Sequence, residues 1–123
     1  MLSSLTEALR QVMAFDGVRA AALIDIATGM VVGSVGEQGT DFPAAAASMA
    51  DEVRTARGVA GFGRLGGDLD EISLVTKGRL HISKVLGSRP GEGMLLYVDL
   101  DRARVNLGLA SLQIGRLAPA VLA

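Results

Sequence analysis

His81 is the one histidine of the chain, and an imidazole is the side chain best suited to moving a proton near neutral pH. Ser83 stands two residues on and shares its strand face, about 7 Å away at the backbone. The two have the residue types of a base and a nucleophile, but no carboxylate is evident to orient the ring. The residues favour a histidine packed on a sheet face or at an interface. Gly61-Phe62-Gly63-Arg64-Leu65-Gly66 matches G-x-G-x-x-G letter for letter. Pyrophosphate binding by that motif needs a strand before the glycines and a helix N-terminus after them. Here a helix precedes and a strand follows, which makes the segment a glycine-rich connection. Asp68, Asp70 and Glu71 gather oxygens that suit a hard cation. They lack EF-hand spacing and read as a solvated turn entering a strand. Asp99 and Asp101 read as a strand end and a helix cap. The absence of cysteine excludes disulfides, thiolate metal sites and thiol catalysis, and one histidine excludes a multi-histidine metal centre within one chain.

The elements that must carry these residues follow from periodicity and punctuation. Leu5, Leu9, Val12 and Met13 recur at helical spacing, with Ser4 and Glu7 as a capping box and Gly17 as the stop, which predicts a helix over about 5–15. Val18 to Ile26 predicts a strand, apolar on both faces at Ala20–Ile24 and therefore interior. Ala27-Thr28-Gly29 turns the chain into a second strand from Met30, weakened toward an edge by Gly33 and Gly36. Asp41 caps a second helix to about Arg57, with Pro43 in its first turn and Gly58 just past its end. Gly58 to Asp70 has no periodicity. Glu71 to Thr76 and Arg79 to Leu86 alternate as strands around a Lys77-Gly78 turn. Met94 to Val98 is a further central strand. Asp101 caps a last helix over about 102–117 with the stripe Val105, Leu109 and Leu112, joined by Ala110, Ile114 and Leu117, and Pro119 ends it. The order α-β-β-α-β-β-β-α is an α+β fold, with a five-stranded antiparallel sheet and helices on both faces.

Length and composition bound the function. The 123 residues are one domain's worth of chain, so residues 1–123 read as a single domain. Phe15, Phe42, Phe62 and Tyr97 are the aromatic residues, and glycine numbers 16. The core must therefore close by aliphatic fit and backbone approach. A net charge of −1 with so few aromatics gives neither a broad basic surface nor a stacking platform, against nucleic-acid binding. Met1-Leu2-Ser3-Ser4 shows no basic n-region and no signal-peptide h-region, and the longest apolar run falls far short of the roughly 20 residues of a membrane span. The expected location is cytoplasmic.

The second helix carries the most informative stripe: Phe42, Ala46, Met49, Ala50 and Val53. Small residues permit close packing on the helix's own sheet and, equally, on the same helix of a second chain. The residues leave both readings open.

The pattern resembles the roadblock / dynein light chain domain family. The resemblance rests on Gly17 to Gly29, on the hairpin and small-residue helix that follow, on Glu71 to Lys84, and on Asn106-Leu107-Gly108-Leu109-Ala110 with Leu112 in the last helix. It covers about residues 5–117. It implies a roadblock/profilin-like fold and a non-enzymatic, cytoplasmic regulatory or scaffold module without cofactor. The implied partners are a second copy of the chain, a small Ras-like GTPase in a bacterial signalling system, and a sensor kinase complex. It places the homodimer seam at Ala46, Met49, Ala50 and Val53, with Ile72, Ser73, Leu74 and Val75 as the paired edge. Arg54, Arg57 and Arg64 become candidate contacts to the partner. A small-molecule sensor of the profilin/PAS kind is the alternative.

Overall fold

Two hairpins and one late strand build the sheet of this protein, described here from a computed structural model. The structure describes residues 2–36, 41–61, 68–87 and 93–121. The chain runs α1 (Leu2–Met13), β1 (Val18–Asp25), β2 (Val31–Gly36), α2 (Phe42–Gly61), β3 (Glu71–Val75), β4 (Arg79–Leu86), β5 (Met94–Asp101), a 3-10 turn (Arg102–Arg104) and α3 (Leu107–Val121). The five strands lie in the order β2-β1-β5-β4-β3, and every pairing is antiparallel. The expected α+β architecture is therefore present, with β1 and β5 as the apolar inner strands. β5 runs from Met94 to Asp101, closing on the two aspartates.

Strand alternation sorts the core into two layers. Ala21, Leu23, Leu80, Ile82, Leu96, Val98 and Leu100 face Leu9 and Val12 of α1 and Ile114 of α3. Ala22, Ile24, Leu95, Tyr97 and Val85 face Ala46, Ala50 and Val53 of α2. The sheet thus has α1 and α3 on one face and α2 on the other.

Helix ends depart from the sequence reading in four places. α1 already includes Ser4, so Ser4 and Glu7 do not cap it. α2 runs through Gly58 to Gly61, because a glycine weakens a helix by only about 1 kcal/mol and does not force its end. Asp101 caps the 3-10 turn by accepting the Ala103 N–H, whereas α3 starts later, where Asn106 Oδ1 accepts the Leu109 N–H at 3.0 Å. Pro119 lies inside α3 rather than ending it. The buried face of α3 is Ala110, Ile114, Ala118 and Val121; Leu109 and Leu112, read as core, are 54% and 51% exposed. No helix among the described residues is long and apolar enough to cross a membrane.

Candidate interaction surface

α2 begins where Asp41 Oδ1 accepts the Ala44 N–H at 3.1 Å and relieves one of the unpaired donors of the first turn. The alanine-rich turns then lie close on the sheet. Gly29, in the β1–β2 turn, has a φ of +76°, a left-handed conformation that glycine adopts freely, and packs at van der Waals distance from Ala47 and Ala50. Ala46, Ala50 and Val53 are fully buried in the chain's own core. A residue with no surface left in one copy has none to offer another, so these three seat α2 on its own sheet and make no seam. Met49 is half-buried beside them, as is Ala45. The flank of α2 that carries Ala47 lies against the β1–β2 turn, so the Ala45–Met49 flank faces the β4–β3 half of the sheet. The outermost residues of the helix are Ala44, Ser48, Asp51 and Thr55, all exposed.

The arginines of α2 hold the helix down. Arg54 donates to the carbonyl of Ile26 and pairs with Asp51. Arg57 Nη2 donates to the carbonyl of Gly87 at 2.9 Å. Both guanidiniums thus tie α2 to strand ends, which leaves them less available to a partner than the sequence suggests. Arg64 and the segment 62–66 of the G-x-G-x-x-G match lie outside the described residues.

β3 pairs with β4 alone and is an edge of the sheet. Ile72 is half-buried toward α2, while Ser73, Leu74 and Val75 are exposed. The strand is pinned at its start: Glu71 accepts from Ser111 of α3, and Asp70 pairs with Lys84 Nζ at 2.5 Å. Two of the three carboxylates read as a possible cation cluster, Asp70 and Glu71, are therefore engaged separately. Among the described residues no group of three or more histidines and carboxylates is placed to hold a metal ion.

On the α2 face of the sheet, register sets Leu74, His81 and Asp99 in one row and Ile72, Ser83 and Tyr97 in the next. Arg79 Nη1 donates to Asp99 Oδ2 at 2.7 Å. His81 Nδ1 and the Tyr97 hydroxyl form a 2.9 Å hydrogen bond whose donor follows the imidazole tautomer. Their rings are parallel, with centroids 6.0 Å apart. Asp99 Oδ1 is 3.8 Å from Nδ1, so a carboxylate does stand beside the ring. It belongs to β5, and its position depends on a register that the sequence does not display. Burial, reinforced by the Asp99 charge and opposed by Arg79, pushes the Tyr97 hydroxyl up to about 12. His81 is engaged with Tyr97, and Ser83 is buried with no hydrogen-bond partner among the described residues. Nothing in this geometry activates Ser83, and the cluster is a polar patch of the sheet face.

A helix on one face, two on the other and an open β3 edge can be compared with known proteins. No protein-family model matches the chain, and no curated protein does either. Solved structures do. MglB of Myxococcus xanthus superposes with a TM-score of 0.84 at 18% identity, over 98% of this chain and 86% of that one. A Roadblock/LC7 domain from Streptomyces avermitilis gives 0.76 at 16% identity, over 98% and 93%. The chain has the roadblock/LC7 fold. The gliding protein MglB of Thermus thermophilus, with a TM-score of 0.80 at 19% identity over 98% and 87%, shares it as well. Within the roadblock/LC7 fold the likeness extends over almost the whole chain, as the resemblance in the sequence implies. At these identities it rests on the arrangement of elements and not on matched side chains.

Proposed function

We propose that the chain is a roadblock/LC7 family member, a non-enzymatic dimeric module that binds a small Ras-like GTPase in a bacterial signalling system. The observation that carries this reading is the likeness to MglB over nearly the full chain. A further MglB structure, with a TM-score of 0.82 at 22% identity over 98% of this chain and 86% of that one, has a tetrameric arrangement, which supports self-association of this fold. The seam we propose joins the open edge of β3, Ile72 to Val75, with the Met49 flank of α2. Pairing two β3 edges would satisfy the unpaired backbone groups that an edge strand otherwise leaves open. The GTPase would be met by the surface that the dimer creates, and its switch segments would be biased toward one ordered state. A sensor kinase complex as the wider setting is part of the same proposal.

Light scattering on the purified chain tests the dimer. Two copies per particle are expected, and Met49→Lys and Leu74→Lys should each give a folded monomer. A monomeric parent chain would overturn the dimer, and a dimer indifferent to both substitutions would overturn this seam. Affinity purification of the tagged chain from its own cells, with a GTP analogue or GDP present, tests the partner. Enrichment of a Ras-like GTPase is expected, and its absence in both nucleotide states would overturn that assignment.

A further inference from the structure

The sheet has a second open edge. β2 pairs with β1 alone among the described residues, and its sequence, Val31–Gly36, carries no charged residue and no proline. Edge strands are ordinarily kept from pairing with other chains by charges, prolines, bulges or a cover. β2 has a bulge, between its pairings with Leu23 and Ile24, which leaves Val32 without a partner on β1. Val32 is 42% exposed, and Met30, just before the strand, 68%. Ser34, opposite Ala22 on the α2 face, is exposed as well.

Helices flank this edge on both faces. A Cβ at Gly33 would lie 2.7 Å from Leu5 Cδ2, so α1 rests directly on β2. α1 packs on β1 and β2, while α3, on the same face, packs on β4. The flank of α1 that carries Ala8 and Gln11 looks toward α3, across a groove that Ala120 helps to line. The opposite flank, Thr6 and Met13 with Arg10 above them, therefore lies over the outer side of β2. Thr6 and Met13 are half-buried and Arg10 is exposed. On the other face, the α2 flank beside the β1–β2 turn presents Ala47, also exposed. Neighbouring strands lie about 4.8 Å apart, and a helix with its side chains is about 10–12 Å across. A further strand beside β2 would thus still run under the rim of α1.

We propose that the free edge of β2 takes up an extended, uncharged segment of a partner protein, rich in Val, Ile and Thr, as a sixth strand of the sheet. Its backbone groups pair with those that β2 leaves open, which supplies the affinity of strand addition. Its alternate side chains fall to Thr6 and Met13 on one face and to Val32, Ser34 and Ala47 on the other. β2 offers no charged group, so a charged segment would give up water there and gain no partner. A second copy fits less well. Stable protein–protein interfaces bury about 1,200–2,000 Å², and a six-residue strand paired edge to edge offers only part of that. A second self-paired edge would also string copies already joined through β3 into an open-ended ribbon. β2 lies at the opposite end of the strand order from β3 and is open in the single chain, so the site stands whether or not the β3 seam forms.

The test uses the isotope-labelled full chain and a synthetic peptide, Ser-Gly-Thr-Val-Thr-Ile-Thr-Val-Gly-Ser, followed by amide chemical shifts. Saturable shifts are expected from Val31 to Gly36 and at Thr6 and Met13, with slower amide exchange along β2. Val32→Lys and Ser34→Lys, both at exposed positions, put a charge on the edge. Each should weaken binding by about tenfold or more without lowering the melting temperature. Two further peptides, N-methylated at alternate backbone amides in the two possible phases, test the parent chain directly. The one whose remaining N–H groups face β2 should bind, and the other should not. Leu74→Lys, which opens the β3 seam, should bind the peptide as the parent does, so failure of that seam and failure of this site read differently. The proposal is overturned by shifts centred on β3 or elsewhere, by no shift at all, by equal behaviour of the two N-methylated peptides, or by binding that survives both lysine substitutions. Light scattering in which either β2 substitution lowers the mass of the parent particle would overturn it too, since the occupant would then be a second copy.

Discussion

The Ser111 hydroxyl of α3 lies 2.7 and 2.9 Å from the two carboxylate oxygens of Glu71, the first residue of the edge strand. One proton is shared between two acceptors, and the bond crosses from the helix layer to the rim of the sheet. A strand paired on one side only depends on such attachments, because half of its backbone groups have no ladder partner. Ser111→Ala should cost about 1.5–3 kcal/mol, the range for a hydrogen bond to a charged group. Amide exchange should accelerate in β3 more than in β1 or β5. Uniform acceleration across all strands would mean that the bond supports the fold as a whole and not this edge.

Ala50 and Ser48 separate the two faces of α2. Ala50→Glu forces a carboxylate into a site with no exposure and should destabilise by about 3–5 kcal/mol. Ser48→Glu, on the exposed side, should change stability by no more than about 0.5 kcal/mol. Thermal unfolding of the two variants checks this. Equal stability would mean that α2 sits in the other rotation about its axis.

Tyr97 is the chain's one tyrosine, so tyrosinate absorbance reports on it alone. Its hydroxyl is held at about 12 against an ordinary 10.0. The folded state therefore keeps a proton that the unfolded state sheds above pH 10. The linkage contribution is flat below that value and falls as pH rises toward 12, by about 3 kcal/mol. Tyr97→Phe should be less stable at neutral pH through the lost bond to His81, and should lack this part of the alkaline decline. Ionisation of the native protein at the pH of free tyrosine would contradict the burial.

Arg79 is the cation on Asp99, a residue only 7% exposed. Arg79→Ala leaves that carboxylate buried with no ion-pair partner of full charge, and should cost about 2–4 kcal/mol. Restoring the balance with Asp99→Asn in the same chain should recover part of the loss. A double-mutant cycle measures the coupling, and strict additivity would show that the pair contributes nothing beyond its separate side chains.

Local patterns were the legible part of this chain. β4 spans Arg79–Leu86 as its alternation predicts, because a half-buried strand shows its period directly. The stripe of α3 was read correctly at Ala110 and Ile114 and wrongly at Leu109 and Leu112, where apolar bulk was taken as a sign of burial. The helix turns Ala110, Ile114, Ala118 and Val121 inward and leaves those leucines outside. Ala46, Ala50 and Val53 fitted two neighbours equally well, and only their burial within one copy decides for the sheet. Asp99 was read as a strand end because nothing near it in the chain declares His81 and Arg79 as neighbours. The β4–β5 register creates that group, and no window of adjacent residues contains it.

The strand order β2-β1-β5-β4-β3 has a consequence for how the chain comes to be folded. β1 with β2, and β3 with β4, are hairpins that close over short loops. β5 is the strip that joins them, and it is synthesised after both. Until it emerges from the ribosome, β1 presents an uncovered apolar edge, and the Ala20–Asp99 and His81–Asp99 pairings have no third member. The sheet therefore cannot close until Met94–Asp101 is available, because an isolated two-stranded hairpin is marginally stable at best. A nascent chain stalled before Met94 would expose that edge, and is the species a chaperone would be expected to hold.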